Sequence, residues 1–243
     1  MTKKTAIAGN TGQAVRSDCQ VNLELTGSGG IEINLESKVN VMYGESIRAL
    51  IIKELGYFGI ENANISVEDS GALEFVLMAR IEAAVKQLVR TNKEYIPGMI
   101  AENNYQTVKE RFRFSRLYLP GNNPSLMINA GIHLPNGVIL DLEDSVAPAK
   151  KEEARFLVRN TLCAVNFYGA ERMVRINQIP EGINDLKYIV PHNVHVILVP
   201  KCENAEQILN LENEIQKIRN KKNITNPVYL MPIVEYEIGR AHV

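Results

Sequence analysis

The stretch "GVILDLEDSVAPAKKEEAR", residues 137–155, sets the reading of the whole chain. Val138, Ile139 and Leu140 form a short apolar run without polar alternation, the pattern of a strand buried on both faces. The run delivers three carboxylates, Asp141, Glu143 and Asp144, to one place, and a small-residue turn and a helix-like run follow. Similar runs recur at "RLYLP", "MVRIN", "VHVILVP" and "VYLMPIVE", separated by helix-like stretches best seen at 148–166 and 204–219. In the latter, Ile208, Leu211, Ile215 and Ile218 line one face, and Asn204 can cap the start. Strands alternating with helices predict a parallel sheet with its functional groups at the carboxyl ends of the strands. Those ends are polar throughout: Asp141 to Asp144, then Arg175 and Asn177, Lys201, and Glu235.

Upstream the chain is written in a different style. "VNLEL" and "IEINLE" alternate apolar and polar residues around the glycine-rich "TGSGG", which predicts an antiparallel hairpin with one wet face. Residues 44–58 carry Ile47, Leu50, Ile51, Leu55 and Phe58 at helical spacing. "NISVED" alternates like another strand, and "ALEFVLMARIEAAVKQL" starts strand-like before becoming a good helix former. Together these predict a small α+β domain over residues 1–90. Residues 91–112, polar and with a Pro-Gly pair, read as a linker. Residues 113–243 then form the α/β domain.

Bulk properties narrow the function classes. The 243 residues are 45% hydrophobic and 23% charged, as in ordinary soluble globular proteins. A net charge of −1 gives no global field to recruit nucleic acid or an anionic membrane. No apolar run approaches the roughly 18 residues that span a bilayer, and the basic N-terminus lacks a signal peptide's apolar core. Cys19, Cys163 and Cys202 are odd in number and far apart, which argues for neither a disulfide framework nor a zinc site. A reducing cytoplasm is the default. The four histidines show no metal-ligand spacing.

Several strand ends that each offer one polar group could converge at one mouth of a barrel. A carboxylate pair there could hold Mg²⁺, which prefers few carboxylates plus waters and substrate oxygens, and Arg175 could clamp a carboxylate with two prongs. Each residue also has a plainer role. Asp144 at a helix start favours the positive end of the helix dipole, and lone strand-end Arg or Lys residues are commonly solvated. The coincidence across four strands favours a site.

These same residues carry a resemblance. "RLYLPGNNPSLM", "ILDLEDSVAPAKKEEAR", "VRINQIPEGINDL", "VPKCENAEQI" and "LMPIVE" resemble, in order, the citrate lyase β subunits, the citryl-thioester lyase branch of an aldolase family that includes malyl-thioester lyases. The match runs from about Phe114 to Glu235. Separately, "GGIEINLESKV", "YGESIRALI" and "VEDSGALEFVLMARIEAAV" resemble the citrate lyase acyl carrier proteins over roughly residues 5–90. The resemblance implies a TIM-type (β/α)8 barrel, incomplete here at about five of eight strands, behind the α+β carrier domain. It implies a carrier serine bearing a phosphoribosyl-dephospho-CoA arm, an acyl-transferase α subunit as partner, and an oligomeric complex. It further implies Mg²⁺-assisted cleavage of a citryl thioester to oxaloacetate and an acetyl thioester. By motif position, Arg175 corresponds to the arginine that binds a substrate carboxylate. Glu235 corresponds to a Mg²⁺ ligand that also touches substrate. Glu143 and Asp144 match a supporting acid pair, and Lys201 sits where it would shape the electrostatics of the site. A citramalyl- or malyl-thioester lyase of the same fold remains an alternative, as does a carrier or scaffold protein whose barrel half has no chemistry.

Two departures from the family pattern matter. Carrier relatives read something like "AGTLESSD", with the modified serine two positions before the aspartate. Here "AGNTGQAVRSD" is longer and Arg16 takes that place, so Ser17 is the expected attachment residue. At the other end, the family continues past "IVE" to a second metal-binding aspartate, whereas this chain ends in "YEIGRAHV". The ending reads as that of a truncated gene fragment, for which an incomplete barrel inactive in cleavage is expected.

Overall fold

A computed structural model describes residues 5–235 of the chain; the terminal "EIGRAHV" lies outside them. The chain divides into two compact units, residues 1–97 and 98–243.

The first unit is a four-stranded sheet covered by two long helices. Strands β1 (Thr5–Gly9), β2 (Cys19–Leu25), β3 (Ile31–Ser37) and β4 (Ala63–Asp69) are joined through helix α1 (Asn40–Phe58), and helix α2 (Glu74–Leu88) follows β4. The sheet order is β1-β2-β4-β3. The hairpin expected between "VNLEL" and "IEINLE" is therefore not formed. β4 inserts between the two, antiparallel to β2 and parallel to β3. The true hairpin is β1–β2, with Thr5 opposite Glu24 and Gly9 opposite Gln20. The physical reason is burial. β4 alternates buried and exposed residues along its whole length, and its buried set needs a neighbour on each side, whereas β3 is mostly exposed and suits an edge. α2 begins directly at Glu74 rather than after a strand-like start, because Asp69 accepts the Gly71 and Ala72 amides and turns the chain. Val21, Leu23, Ile65 and Val67 on the strands and Ile51, Leu55, Ile81 and Val85 on the helices are all buried and form the core.

The second unit is an all-parallel sheet. Strands β5 (Arg116–Pro120), β6 (Gly137–Asp141), β7 (Glu171–Arg175), β8 (Val196–Val199) and β9 (Tyr229–Pro232) lie side by side in sequence order. Each matches one of the apolar runs. Between them lie α3 (Pro124–Met127), α4 (Lys151–Ala164), α5 (Ile183–Ile189) and α6 (Ala205–Lys222). β6 and β8 are buried at every position, as parallel strands covered on both faces must be. Ile139, Met173, Val196 and Leu198 form a cluster against which Tyr229, Met231 and Ile233 pack. α6 buries Leu211 and Ile215, and the Asn204 side chain accepts the Gln207 amide at 3.0 Å as its N-cap.

The segment read as a linker is ordered. Tyr95 donates its amide to Glu82 and sets its ring at a tilt against Tyr57, centroids 5.2 Å apart, in the first unit. In the second, the Asn103 side chain donates to the Leu162 and Val165 carbonyls, and Tyr105 donates to the Ala170 carbonyl. Among the described residues no helix is long and apolar enough to cross a membrane.

Candidate functional site

Parallel strands in sequence order point the same way, so the polar ends of β6 to β9 line one edge of the sheet. Register brings two of them face to face: Asp141 and Arg175 are paired positions on β6 and β7. Arg175 grips Asp141 with two prongs, Nε to Oδ1 and Nη2 to Oδ2, each 2.7 Å. Such fork-to-fork pairs combine charge with geometry. The Asp141 carboxylate is fixed further by the Glu143 amide at 3.0 Å and the Ser145 amide at 3.1 Å. The two-pronged clamp that the sequence offers is thus closed on an internal carboxylate.

The third nitrogen of Arg175, Nη1, faces the other two acids, 3.0 Å from Glu143 Oε2 and 3.6 Å from Asp144 Oδ2. Lys201 approaches from β8, 2.7 Å from Glu143 Oε1 and 3.5 Å from Asp144 Oδ1. Its backbone sits at φ +47°, a left-handed turn that ends β8 and aims the ammonium at the acids. The structure therefore brings Arg175, Glu143, Asp144 and Lys201 together. Glu235 lies three residues past β9 on the same edge and is exposed.

Asp141, named among the strand-end acids, orients Arg175. Sequence reading missed other members: Gln178 donates to Glu143 Oε1 at 2.9 Å, and the Tyr118 ring lies 5.4 Å from the guanidinium carbon of Arg175. Lys151 donates to the Leu142 and Glu143 carbonyls and to Asn177, supporting the acid loop from below. The Asn177 amide in turn donates to Asp185, which Arg155 also holds.

The electrostatics follow from these contacts. Burial pushes the Asp141 carboxyl upward, but the Arg175, Ser145 and backbone hydrogen bonds outweigh it and hold it below the ordinary range. Glu143 behaves alike: burial raises it, and Lys201 and Gln178 bring it below the usual value. Its hydrogen bond to Glu143 raises the Lys201 ammonium, which stays charged. Asp141 hydrogen bonding likewise raises Arg175. Both acids are anions and both bases are cations at neutral pH, so these groups are fixed charges rather than proton carriers.

Three carboxylates, Asp141, Glu143 and Asp144, meet three cations, Arg175, Lys201 and Lys151, so the cluster is close to balanced, and no hydrogen bond or ion pair joins the exposed Glu235 to it among the described residues. No cluster of three His, Cys, Asp or Glu side chains able to hold a metal occurs among the described residues. The donor set is oxygen only, which suits a hard divalent cation held by one or two carboxylates with waters and substrate oxygens completing its shell.

In the first unit, Ser17 sits in the β1–β2 turn, half-buried, at φ +55°. Its amide donates to the Ser70 carbonyl at 3.0 Å. The neighbouring Asp18 is locked by Arg80, Nε to Oδ1 at 3.0 Å and Nη2 to Oδ2 at 2.9 Å, with Asn10 donating at 2.8 Å. Gly9 closes the turn base at φ +90°, where a Cβ would fall 1.9 Å from the Cys19 carbonyl oxygen. A serine beside an immobilised ion pair, in a backbone conformation that non-glycine residues adopt at a cost, is a positioned residue.

Comparison with known proteins gives two segments. Residues 115–239 match the family model HpcH/HpaI aldolase/citrate lyase, and residues 3–88 match that of the malonate decarboxylase delta subunit. The citrate lyase subunit beta of Leuconostoc mesenteroides subsp. cremoris is 36% identical over 135 residues, 54% of this chain and 44% of the relative. The citrate lyase acyl carrier protein of Lactobacillus helveticus is 40% identical over 89 residues, 37% of this chain and 88% of the relative. A crystal structure of protein CitE from Mycobacterium tuberculosis with magnesium and pyruvate aligns at TM-score 0.40 and 26% identity, covering 54% of this chain and 49% of that one. The chain spans less than half the length of the beta-subunit relative it matches. It belongs to the HpcH/HpaI aldolase/citrate lyase family, and its first ninety residues belong with the citrate lyase acyl carrier proteins.

Proposed function

We propose that this polypeptide is a citrate lyase component that joins the acyl carrier to the carbon–carbon lyase. The parallel unit is read as an arc of a (β/α)8 barrel with its site at the carboxyl edge. The carrier unit presents a citryl thioester on a phosphoribosyl-dephospho-CoA arm attached at Ser17, and the acyl-transferase α subunit of the complex would load it. One observation carries this reading. Arg175 and Lys201 converge on the carboxylates at the end of β6, at the carboxyl edge of a parallel sheet, in a chain that also contains a carrier unit.

Cleavage breaks the bond between the carbinol carbon and the methylene carbon beside the thioester carbonyl. The hydroxyl loses its proton, its oxygen becomes the ketone of oxaloacetate, and the electron pair passes to the acetyl thioester as an enolate that then takes up a proton. Negative charge develops first on the alkoxide and then on the enolate oxygen. Lys201, held cationic by Glu143, and the Nη1 edge of Arg175 are preorganised donors for that charge. Asp141 keeps Arg175 in place, so the arginine need not reorganise when a substrate carboxylate arrives.

The Arg175 and Lys201 charges are already engaged by Asp141, Glu143 and Asp144, and this is the argument for a divalent cation at the same edge. Mg²⁺, with Glu235 as ligand, would offset the carboxylates and polarise the departing oxygen when bound. The test is Mg²⁺-dependent release of oxaloacetate from a citryl thioester by the chain extended to the full length of its beta-subunit relatives, followed through malate dehydrogenase. Arg175→Ala is expected to lower the rate by at least about a hundredfold, the scale of losing a preorganised charge donor. Unchanged turnover in that variant would remove the assignment.

A further inference from the structure

The groove that runs along α1 in the carrier unit has no role in the chemistry above. It has a volume of about 550 Å³, within the range of small-molecule sites. One wall is a single stripe of α1, Tyr43, Ile47, Leu50 and Lys53, which spans about 15 Å at helical rise. The opposite wall is the loop that enters α2, from Gly71 to Glu74, with Leu77 beneath.

Its position ties it to Ser17. The Ser17 amide donates to the Ser70 carbonyl at 3.0 Å, and the next two residues, Gly71 and Ala72, already line the groove. Two residues of extended chain reach about 7 Å. The loop between them is stiff, since Asp69 accepts the Gly71 and Ala72 amides at 3.0 and 2.7 Å and the Ser37 hydroxyl at 2.6 Å. β3 and β4 both end at this corner, and α1 runs back from it, so the stripe starts beside the serine and leads away. Lys53, exposed, stands at the far end of the stripe.

We infer that the groove is a binding track for the arm carried on Ser17: its pantetheine portion lies along the α1 stripe, and its acyl end reaches Lys53. This rests on the attachment at Ser17. A linear chain of methylenes broken by amides matches a mainly apolar trough with polar groups at the rim. A cation at the end suits an acyl group that bears carboxylates. Docked, the thioester is held against the carrier between visits to other subunits. The tether makes docking intramolecular, so weak contacts suffice.

The experiment uses the full chain with and without the arm. Mass spectrometry after incubation with the prosthetic-group transferase locates the adduct, and Ser17→Ala serves as control. Hydrogen exchange is then compared between bare and loaded chains. Residues 43–53 and 71–77 are expected to exchange more slowly in the loaded chain, on the order of fivefold for an arm docked four-fifths of the time. Ala49→Phe, which fills the trough, and Leu73→Asp, which makes its rim polar, should abolish the protection while the adduct still forms. No adduct, or one at another residue, overturns the attachment at Ser17 and the track with it. An adduct on Ser17 without slower exchange along the groove, or with protection that survives both variants, overturns the track alone. Protection of the groove in the bare chain on adding other complex subunits, with none from the arm, assigns the groove to a protein partner instead.

Discussion

Asp141 and Asp144 stand three residues apart, yet they are energetically different acids. Asp141 is 2% exposed and doubly bound to Arg175, whereas the Asp144 side chain is 64% exposed. Removing one member of a buried pair strands the other, at about 3–5 kcal/mol; an exposed pair is worth about 0–1 kcal/mol. Arg175→Ala leaves Asp141 and the equally buried Glu143 without their shared cation, so it should destabilise the second unit by about 3 kcal/mol. Asp144→Ala should cost less than about 0.5 kcal/mol. Urea titrations of both variants make the comparison, and equal losses would contradict the division of labour. Residue types and strand-end positions offered Asp141 to Asp144, Arg175, Asn177, Lys201 and Glu235 as candidates, and roles came only from the family resemblance. The anchoring role of Asp141 was not legible, because which acid an arginine grips depends on strand register, and register is a property of two segments at once.

The elements of the second unit were readable because continuous apolar runs have few alternatives once helices separate them. The first unit was harder. Alternation of period two describes β2 and β3 equally well whether they pair with each other or with β4. The intervening glycine-rich loop spans two strand spacings, about 9.6 Å, as easily as it would make a tight turn. Nor could the sequence show where the backbones of β5 and β6 come closest. Gly121 donates its amide to the Asp141 carbonyl at 2.8 Å, and a Cβ there would lie 2.5 Å from that oxygen. Gly121→Ala must push the end of β6 away, loosening the acid loop that starts at Asp141. The expected loss is about 1–3 kcal/mol, as for overpacking, together with lower lyase activity at unchanged carrier modification. The cap on α6 is a milder case: Asn204→Ala should cost about 1 kcal/mol, visible as a lower Tm, with the site untouched.

At the scale of the whole molecule the two units differ in how they meet acid. All four histidines, His133, His192, His195 and His242, fall in residues 98–243. His195 is buried between Arg172 and the Tyr105 segment: its Nδ1 accepts the Arg172 amide at 3.1 Å, and its Nε2 lies 3.0 Å from the Tyr105 carbonyl oxygen. That arrangement requires the neutral ring. Burial, then the Arg172 charge, push its pKa down to about 4. Burial and Arg159 push His192 down to about 3. In the unfolded chain both titrate near 6.5. Below that pH the unfolded state binds protons that the folded state refuses, so stability falls with acid. The contribution is complete above about pH 6.5. It declines by roughly 1.4 kcal/mol per pH unit per histidine, and for His195 it is exhausted near pH 4. The carrier unit has no such group. Between pH 6.5 and 5 the second unit should therefore lose stability to denaturant while the first holds, which hydrogen exchange followed unit by unit resolves. His195→Gln keeps one acceptor and one donor without a titrating ring, and should remove about half of that slope. A second unit whose stability does not change across this range would mean that these imidazoles are already free to take up protons in the fold.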